Sequence, residues 1–257
     1  MSQTLRLCTW NIQFGMQLGT VLQALEHHAD FHNLDLLALQ EASIHDKRED
    51  ARVIAEALGA AYDFYQVTAH LHGGRAQANA LVWNSAVVHV ENKDIVKLPR
   101  RSELRLPLHE DTLLRALPTQ QRLSLVVDAR LDTETLRIYV AHLDVVGFEH
   151  KREQLSRILQ DADGRLPVDL TLLAGDLNTF RIRARPLWNN LFATAEAARF
   201  HDITTEINWT HAVHRLKIRQ KLDAVLVKCE RPCHCRSWTL EARGSDHIPV
   251  FAEITLD

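Results

Sequence analysis

The stretch LLAGDLNTF, residues 172–180, passes from an apolar run into a glycine and then into two polar side chains. The apolar part predicts a buried β-strand over residues 169–176. Asp176 and Asn178 stand at its end, where a carboxylate and an amide cost free energy unless a partner uses them. The stretch therefore predicts a core strand that delivers two polar groups to a site.

Seven further apolar runs predict strands, several of them buried on both faces, and helical periodicity predicts three helices between them. The strands are expected at 5–12, 34–41, 78–84, 121–131, 136–145, 221–228 and 248–256, and the helices at 18–29, 46–58 and 148–160. Many strands with few helices predict an α/β fold, a four-layer α/β/β/α sandwich of two packed mixed sheets with outer helices. No repeat or linker interrupts the sequence, so we expect a single domain over residues 1–257.

The composition is that of an ordinary soluble protein, with 46% hydrophobic and 25% charged residues. No apolar leader opens the chain and no run approaches the about 18 apolar residues of a membrane helix, although a removed leader would leave the same sequence. We therefore expect a cytoplasmic monomer without membrane insertion. The net charge of −3 lacks the basic character typical of proteins that bind nucleic acid. It does not exclude a nucleic-acid substrate, because enzymes that cut nucleic acid can be acidic overall.

Three of the four cysteines lie in the segment CERPCHC, as Cys229, Cys233 and Cys235, together with His234. Their spacing matches no standard structural zinc site, and no second ligand pair stands at a distance. We expect reduced thiols in a turn between strands, with a zinc site as the less favoured alternative.

Polar side chains mark the ends of several other predicted strands. Any one of them has a structural explanation, such as a cap or a satisfied core histidine, but convergence of all of them at one end of the sheets would make a site. Asn11 follows LCTW, Glu41 follows LLALQ, His142 follows YVA, Asp223 lies within KLDAVLV, and Asp246 and His247 precede IPVF.

These residue types have a coherent chemistry. Carboxylate and amide oxygens form a ligand set suited to Mg²⁺ or Mn²⁺. Two histidines can donate to a phosphoryl oxygen or protonate a leaving group, and a further carboxylate can hold a histidine in its working tautomer. The set predicts metal-assisted phosphoester hydrolysis.

Six short motifs in a fixed order resemble those of the endonuclease/exonuclease/phosphatase superfamily: TWNIQ, LQE, AHLD, GDLN, KLD and SDHIPV, between residues 9 and 250. That superfamily includes pancreatic-type deoxyribonuclease, exonuclease III-like AP endonucleases, neutral sphingomyelinases and inositol polyphosphate 5-phosphatases. The resemblance implies a phosphoester hydrolase that depends on Mg²⁺ or Mn²⁺. It also implies that Glu41 is the main metal ligand, that Asn11 contributes to the same site and that Asp246 lies near the metal.

The resemblance implies five catalytic roles as well. Asp176 is similar to the aspartate that orients or deprotonates the attacking water, and Asn178 to the amide that holds the phosphate. His247 matches the histidine that stabilises the transition state or acts as general acid, with Asp223 orienting it. His142 matches the second histidine of the deoxyribonuclease and sphingomyelinase branches.

Departures from the motifs of individual branches of the superfamily narrow the range of possible substrates. Gln13 and His142 differ from the residues of exonuclease III-like enzymes and argue against an AP endonuclease, and the inositol phosphatase signatures are not evident. The leading hypothesis is a phosphodiesterase, a nuclease cleaving DNA or RNA by in-line water attack. A hydrolase of a small or lipid phosphoester, and a catalytically silent binding protein of the same fold, are the alternatives.

Basic residues near the motifs predict contacts with the substrate. Side chains two residues apart on a strand lie on the same face. A single continuous strand would therefore place four basic residues on the face that carries Asp223, at the active site: Arg215, Lys217, Arg219 and Lys221. A break before Lys221 would remove that inference.

Two further segments are expected to border the substrate-binding cleft beside these motifs. Arg181 follows the GDLN motif closely, and Arg75 and Asn79 belong to a glycine-containing loop predicted at 70–80. Arg75, Asn79, Arg181 and Lys221 are therefore the candidate substrate-binding residues.

Overall fold

Two six-stranded sheets form the centre of the protein in a computed structural model that describes residues 3–115, 120–179, 189–213 and 218–256. The helices within these residues are α1 (Leu18–His27), α2 (Asp50–Leu58), α3 (Leu108–Arg115), α4 (Phe148–Gly164) and α5 (Asn189–Ala197). The strands within them are β1 (Gln3–Asn11), β2 (Leu36–Ala42), β3 (Ile44–His45), β4 (Arg48–Glu49), β5 (Tyr62–His72), β6 (Arg75–Asn84), β7 (Val88–Lys97), β8 (Leu123–Leu131), β9 (Glu134–His142), β10 (Leu170–Asp176), β11 (His201–Asp202), β12 (His211–Val213), β13 (Ile218–Gln220), β14 (Asp223–Cys229), β15 (Cys233–Thr239) and β16 (Val250–Leu256).

The strand order is β15-β16-β1-β2-β6-β5 in the first sheet and β11-β14-β10-β9-β8-β7 in the second. Each sheet contains one parallel pair, β1 with β2 and β9 with β10, among antiparallel neighbours. Both sheets are therefore mixed, as the sequence predicts.

Three apolar clusters hold the four layers together. One lies between the sheets and joins residues such as Leu7 and Leu36 to Ile138 and Leu172. A second packs α1 and α2 against the outer face of the first sheet, and a third packs α4 and α5 against that of the second. The central strands are covered on both faces, which explains their continuous apolar runs. The predicted sandwich is confirmed.

The strand register brings the polar strand ends to one edge of the sandwich. Asn11 ends β1 and pairs with Gln40 of the parallel strand β2, next to Glu41. In the second sheet Asp176 pairs with His142 on one side and with Asp223 on the other. The site therefore forms where the ends of both sheets meet.

Some local predictions were wrong. Residues 70–80 are not a flexible loop, because β5 and β6 form a hairpin that turns at Gly73 and Gly74, both with positive φ. The helix expected from residue 46 begins at Asp50, since β3 and β4 form a short hairpin before it. The single strand considered for residues 211–223 is interrupted at Lys221 and Leu222: β13 ends at Gln220 and pairs with β12, and β14 begins at Asp223. This break removes the basic face inferred for that segment, in which Arg215 and Lys217 lie outside the described residues.

The cysteine expectation is also corrected. Cys229 and Cys233 form a disulfide between the end of β14 and the start of β15, whereas Cys235 is free and exposed. A pairing of two of the proposed ligands leaves no zinc site of the kind considered. Separately, none of the helices described is long and apolar enough to cross a membrane.

Gly175 explains how β9 and β10 approach each other beside the site. Its φ is +151°, and a Cβ built there would lie 1.9 Å from the carbonyl oxygen of Ala141. Ala141 and Gly175 directly precede His142 and Asp176, so the missing side chain sets the spacing of two site residues.

We expect the substitution Gly175→Ala to lower the free energy of unfolding by roughly 2–4 kcal/mol, because it combines a steric clash with an unfavourable φ. Urea denaturation followed by circular dichroism measures this loss. Gly19→Ala is the matched control, since nothing lies within 4 Å of the added Cβ in α1. Equal stability of the Gly175→Ala protein and the wild type would contradict the assigned role.

Candidate active site

Asp176 lies at the centre of the site, only 2% exposed. Its Oδ2 atom accepts a hydrogen bond of 3.1 Å from Asn11 Nδ2 and lies 3.6 Å from His142 Nε2 and 3.7 Å from His247 Nε2. Burial opposes ionisation of Asp176, but the charge of His247 and the N–H groups of Asn178 and Asn11 outweigh it and lower the pKa of this carboxyl. One ionised oxygen is therefore surrounded by three nitrogen-bearing side chains.

His247 and Asp223 form a buried pair beside this oxygen. The distance from His247 Nδ1 to Asp223 Oδ2 is 2.8 Å. Burial alone would lower the pKa of His247, but the negative charges of Asp223 and Asp176 raise it to about 10. The ring is thus an imidazolium at neutral pH, with Nδ1 bound to Asp223 and Nε2 directed toward Asp176.

Backbone and hydroxyl contacts fix the loop that carries His247. Trp10 Nε1 donates to the His247 carbonyl at 3.0 Å, and His247 N donates to Ser245 Oγ at 3.1 Å. Ser245 Oγ in turn donates to the Asn11 carbonyl at 2.7 Å. The loop before β16 is therefore tied to β1, which carries Asn11.

Glu41 is presented by an irregularity in β2. The register between β2 and β6 shifts between Gln40 and Ala42, so Glu41 is the extra residue of a β-bulge, and its φ is +52°. Bulges re-aim side chains next to functional sites. Gln77 Nε2 donates to Glu41 Oε1 at 3.0 Å, and burial followed by the charge of Asp176 raises the pKa of Glu41 to about 7.

The residues present fit a divalent cation. The charge of Asp176 raises the cost of ionising Glu41 in a buried site, and a cation would relieve that repulsion. Among the described residues, two clusters have ligand atoms close enough to hold a metal ion: His211 with Asp246 and His247, and Asp176 with Asp223 and His247. Carboxylate oxygens of this kind suit Mg²⁺ or Mn²⁺.

Asn178 occupies a tight turn directly after β10. Its φ is +49°, and its N–H donates to Asp176 Oδ1 at 2.9 Å. Its side-chain Nδ2 donates to the Leu143 carbonyl at 2.9 Å, and Lys151 Nζ donates to the Asn178 carbonyl at 2.7 Å. The turn is thus fixed to the loop after β9, and the role of Asn178 toward phosphate stays a prediction.

His142 differs electrostatically from His247. Arg122 Nη1 lies 3.3 Å from His142 Nδ1. Burial, followed by the positive charge of Arg122, lowers the pKa of His142 to about 3. The two histidines beside Asp176 therefore have opposite charge states at neutral pH, one neutral and one cationic.

The candidate substrate-binding residues are scattered. Asn79 is buried between the sheets and donates to the carbonyls of Leu123 and Val140, at 2.9 and 3.3 Å, so it ties the sheets together and does not face a substrate. Lys221 is 2% exposed, donates to the Thr204 carbonyl and lies 3.6 Å from Asp202 Oδ2.

Those two predictions were wrong, because both side chains are used inside the fold. Arg75 is exposed at the start of β6, two residues before Gln77, at the end of the first sheet that carries Glu41. Arg181 lies outside the described residues.

The sequence reasoning missed several residues that support the site. His211 pairs in a β-bridge with His247, their rings 4.7 Å apart, and its Nε2 lies 3.5 Å from Asp246 Oδ2. Arg122, Gln77 and Lys151 contact His142, Glu41 and the Asn178 carbonyl and hold these candidate site residues in place. Their only signal in the sequence was a polar residue within or beside an apolar strand or helix stripe, which ordinary surface residues also give.

Eight of the predicted residues come together at this edge of the sandwich: Asn11, Glu41, His142, Asp176, Asn178, Asp223, Asp246 and His247. The arrangement combines an ionised carboxylate, an imidazolium, a neutral imidazole and the second buried carboxyl group of Glu41. Such a set can activate water and stabilise charge on a phosphoryl group.

Comparison with solved structures shows the same fold. An endonuclease/exonuclease/phosphatase from Bacteroides vulgatus has a TM-score of 0.73 at 16% identity, covering 99% of this chain and 100% of that one. The human Nocturnin catalytic domain with bound sulfate anion has a TM-score of 0.70 at 15% identity, covering 99% and 95%. TDP2 from D. rerio, complexed with single strand DNA product, has a TM-score of 0.69 at 13% identity, covering 98% and 99%.

Sequence comparison is more specific about membership. No curated protein matches the chain significantly. The model of the Endonuclease/Exonuclease/phosphatase family, however, matches residues 8–247, nearly the whole chain. The chain therefore belongs to the endonuclease/exonuclease/phosphatase family.

Proposed function

We propose that this protein is a divalent-metal-dependent phosphodiesterase, a nuclease that cleaves DNA or RNA by in-line attack of water. The observation that carries the proposal is the Asp176 Oδ2 atom, which faces Asn11, His142 and His247 within 3.1 to 3.7 Å. A buried, ionised carboxylate oxygen among hydrogen-bond donors is the arrangement needed to orient a water molecule against a phosphorus atom.

Each residue then has a defined task. Asp176 accepts the proton of the water as the new P–O bond forms, and His247 Nε2 gives a proton to the leaving oxygen as the old P–O bond breaks. Asp223 keeps His247 protonated and oriented, while His142 and Asn178 donate to phosphoryl oxygens. The divalent cation, held by Glu41 with Asn11 and Asp246, would supply positive charge for the developing negative charge on the phosphate.

Two observations favour a nucleic acid over a small ester. The fold is shared with TDP2 from D. rerio, whose structure contains a single strand DNA product. In addition, an open cavity of about 630 Å³ adjoins Asp246 and is lined by Trp209, Arg219 and Arg243. An aromatic ring and guanidinium groups beside a phosphate site suit a nucleotide chain. Arg75 and Arg181 are the further proposed substrate contacts.

A substrate panel tests the reaction class directly. Plasmid DNA, single-stranded DNA, RNA, bis-p-nitrophenyl phosphate, p-nitrophenyl phosphate and sphingomyelin are incubated with Mg²⁺, Mn²⁺ or EDTA. Metal-dependent loss of polynucleotide is the expected result. Turnover confined to small esters or sphingomyelin would keep the hydrolase and reject the nuclease, and no turnover of any substrate would favour a silent binding protein.

We expect Asp176→Asn and His247→Gln each to lower kcat by about 10²–10⁴-fold, because each removes one proton-transfer group. Initial rates on the best substrate of the panel measure the loss. Asp163→Asn and His89→Gln are matched controls, since both side chains are exposed on α4 and β7. Activity near the wild-type level in either site variant, with an intact circular dichroism spectrum, would refute the role assigned to it.

The metal assignment is tested by Glu41→Gln. We expect the metal concentration for half-maximal rate to rise by about 10-fold or more, because the strongest anionic ligand is lost. Glu91→Gln on β7 is the control, because Glu91 is exposed and its Oε1 atom lies 3.9 Å from Nε of the exposed Arg130. An unchanged metal requirement would move the cation to another set of ligands.

A further inference from the structure

The contact between Arg122 and His142 determines which nitrogen of the imidazole ring carries the proton. Both side chains are 4% exposed, and Arg122 Nη1 lies 3.3 Å from His142 Nδ1. A guanidinium group carries five N–H donors and no acceptor. The contact is favourable only when Nδ1 presents a lone pair, so the single proton of the neutral ring belongs on Nε2.

Arg122 cannot turn away from the ring easily. Its Nε donates to Asp144 Oδ1 at 2.9 Å. Asp144 is held on its other side by Gln154, whose Nε2 donates to Oδ2 at 3.0 Å and whose Oε1 accepts from the Asp144 N–H at 3.0 Å. The backbone of Arg122 is fixed as well, because Leu98 N donates to its carbonyl at 3.0 Å. The guanidinium is therefore a preorganised neighbour of the imidazole.

Glu41 would favour the tautomer with the proton on Nδ1, but it lies farther from His142 Nδ1 than Arg122 does. Its Oε1 atom is 4.0 Å from His142 Nδ1, which exceeds hydrogen-bond distance. A carboxylate in contact would favour a proton on Nδ1, and that would leave Nε2 without one. The nearer guanidinium decides between the two tautomers, while Glu41 remains engaged by Gln77.

The Nε2 atom of His142 faces Asp176, the proposed acceptor of the water proton. Nε2 lies 3.6 Å from Asp176 Oδ2, beyond direct hydrogen-bond distance, so its N–H remains available to an atom between them. We propose that Arg122 is a positioning residue that fixes His142 as the Nε2–H tautomer, which makes His142 a neutral hydrogen-bond donor to a phosphoryl oxygen and leaves proton donation to His247.

This assignment separates the tasks of the two histidines. His247 has a carboxylate on its Nδ1 and is held as a cation, whereas His142 has a guanidinium on its Nδ1 and is held neutral. The sequence left open which histidine donates to the phosphate and which protonates the leaving group. The contacts of the two Nδ1 atoms resolve that choice.

The tautomer can be read by NMR without any turnover. Two-bond ¹H–¹⁵N correlations on ¹⁵N-histidine-labelled, metal-free protein at neutral pH distinguish a protonated Nε2 from a protonated Nδ1. The signals of His142 are those missing from the spectrum of His142→Gln. A protonated Nε2 is expected in the wild type, and a protonated Nδ1 would overturn the proposal.

Variants at position 122 test the cause. Arg122→Lys keeps a donor toward Nδ1 and is expected to keep the tautomer and kcat within about twofold. Arg122→Met removes the donor, so we expect the Nδ1–H form to appear and kcat to fall by about 10²-fold with little change in KM, as for loss of one preorganised donor. An unchanged tautomer and kcat in folded Arg122→Met would overturn the proposal.

Arg137→Met is the matched control for the loss of a buried arginine. Arg137 is 4% exposed, and its Nε donates to Asp128 Oδ1 at 2.6 Å, five residues before His142 on the same strand. It should lose comparable stability but keep the His142 tautomer and kcat; the same spectral and kinetic change as in Arg122→Met would overturn a specific role of Arg122.

The kinetic arm rests on the proposed function, whereas the NMR arm does not. A wild-type protein that shows the Nε2–H form but cleaves no substrate of the panel would refute the proposed function alone. If Arg122→Met fails to fold, the wild-type and Arg122→Lys spectra still decide the tautomer.

Discussion

The register of three neighbouring strands, β9, β10 and β14, is the constraint on which the rest of the site depends. It sets His142, Asp176 and Asp223 side by side in one row at the end of the second sheet. A glycine before Asp176 allows β10 to lie against the carbonyl of Ala141, and no other residue type avoids that contact. Once the row exists, the loop before β16 has only to bring His247 to Asp223.

Charge within this row is distributed unevenly for a physical reason. A carboxylate faces one imidazole and a guanidinium faces the other, so one ring is charged and its neighbour is neutral at the same pH. The imidazolium stabilises the ionised form of Asp176, and Asp176 in turn raises the pKa of Glu41. The charge of Asp176 thus opposes the ionisation of Glu41 on one side of the site, and the positive charge of His247 lies on the other side.

The sequence predicted the central strands and the meeting of their polar ends well, because strands covered on both faces are nearly continuous apolar runs and their polar ends stand out. It failed at β5, β7 and β15, which lie at the edges of the sheets and alternate with exposed polar residues. It also failed at Lys221 and Asn79, since parity along a strand does not show where the strand breaks or which face is covered. Arg122 was invisible for a related reason: only tertiary packing reveals its partner.

The two halves of the site belong to different sheets. Asn11 and Glu41 are carried by the first sheet, whereas His142, Asp176 and Asp223 are carried by the second, and one hydrogen bond of 3.1 Å joins Asn11 to Asp176. A small shear of one sheet over the other would part the halves while leaving every strand and helix intact. Mild heating or denaturant should therefore separate the two halves of the site before the secondary structure melts, so that the integrity of the site reports on the packing between the sheets.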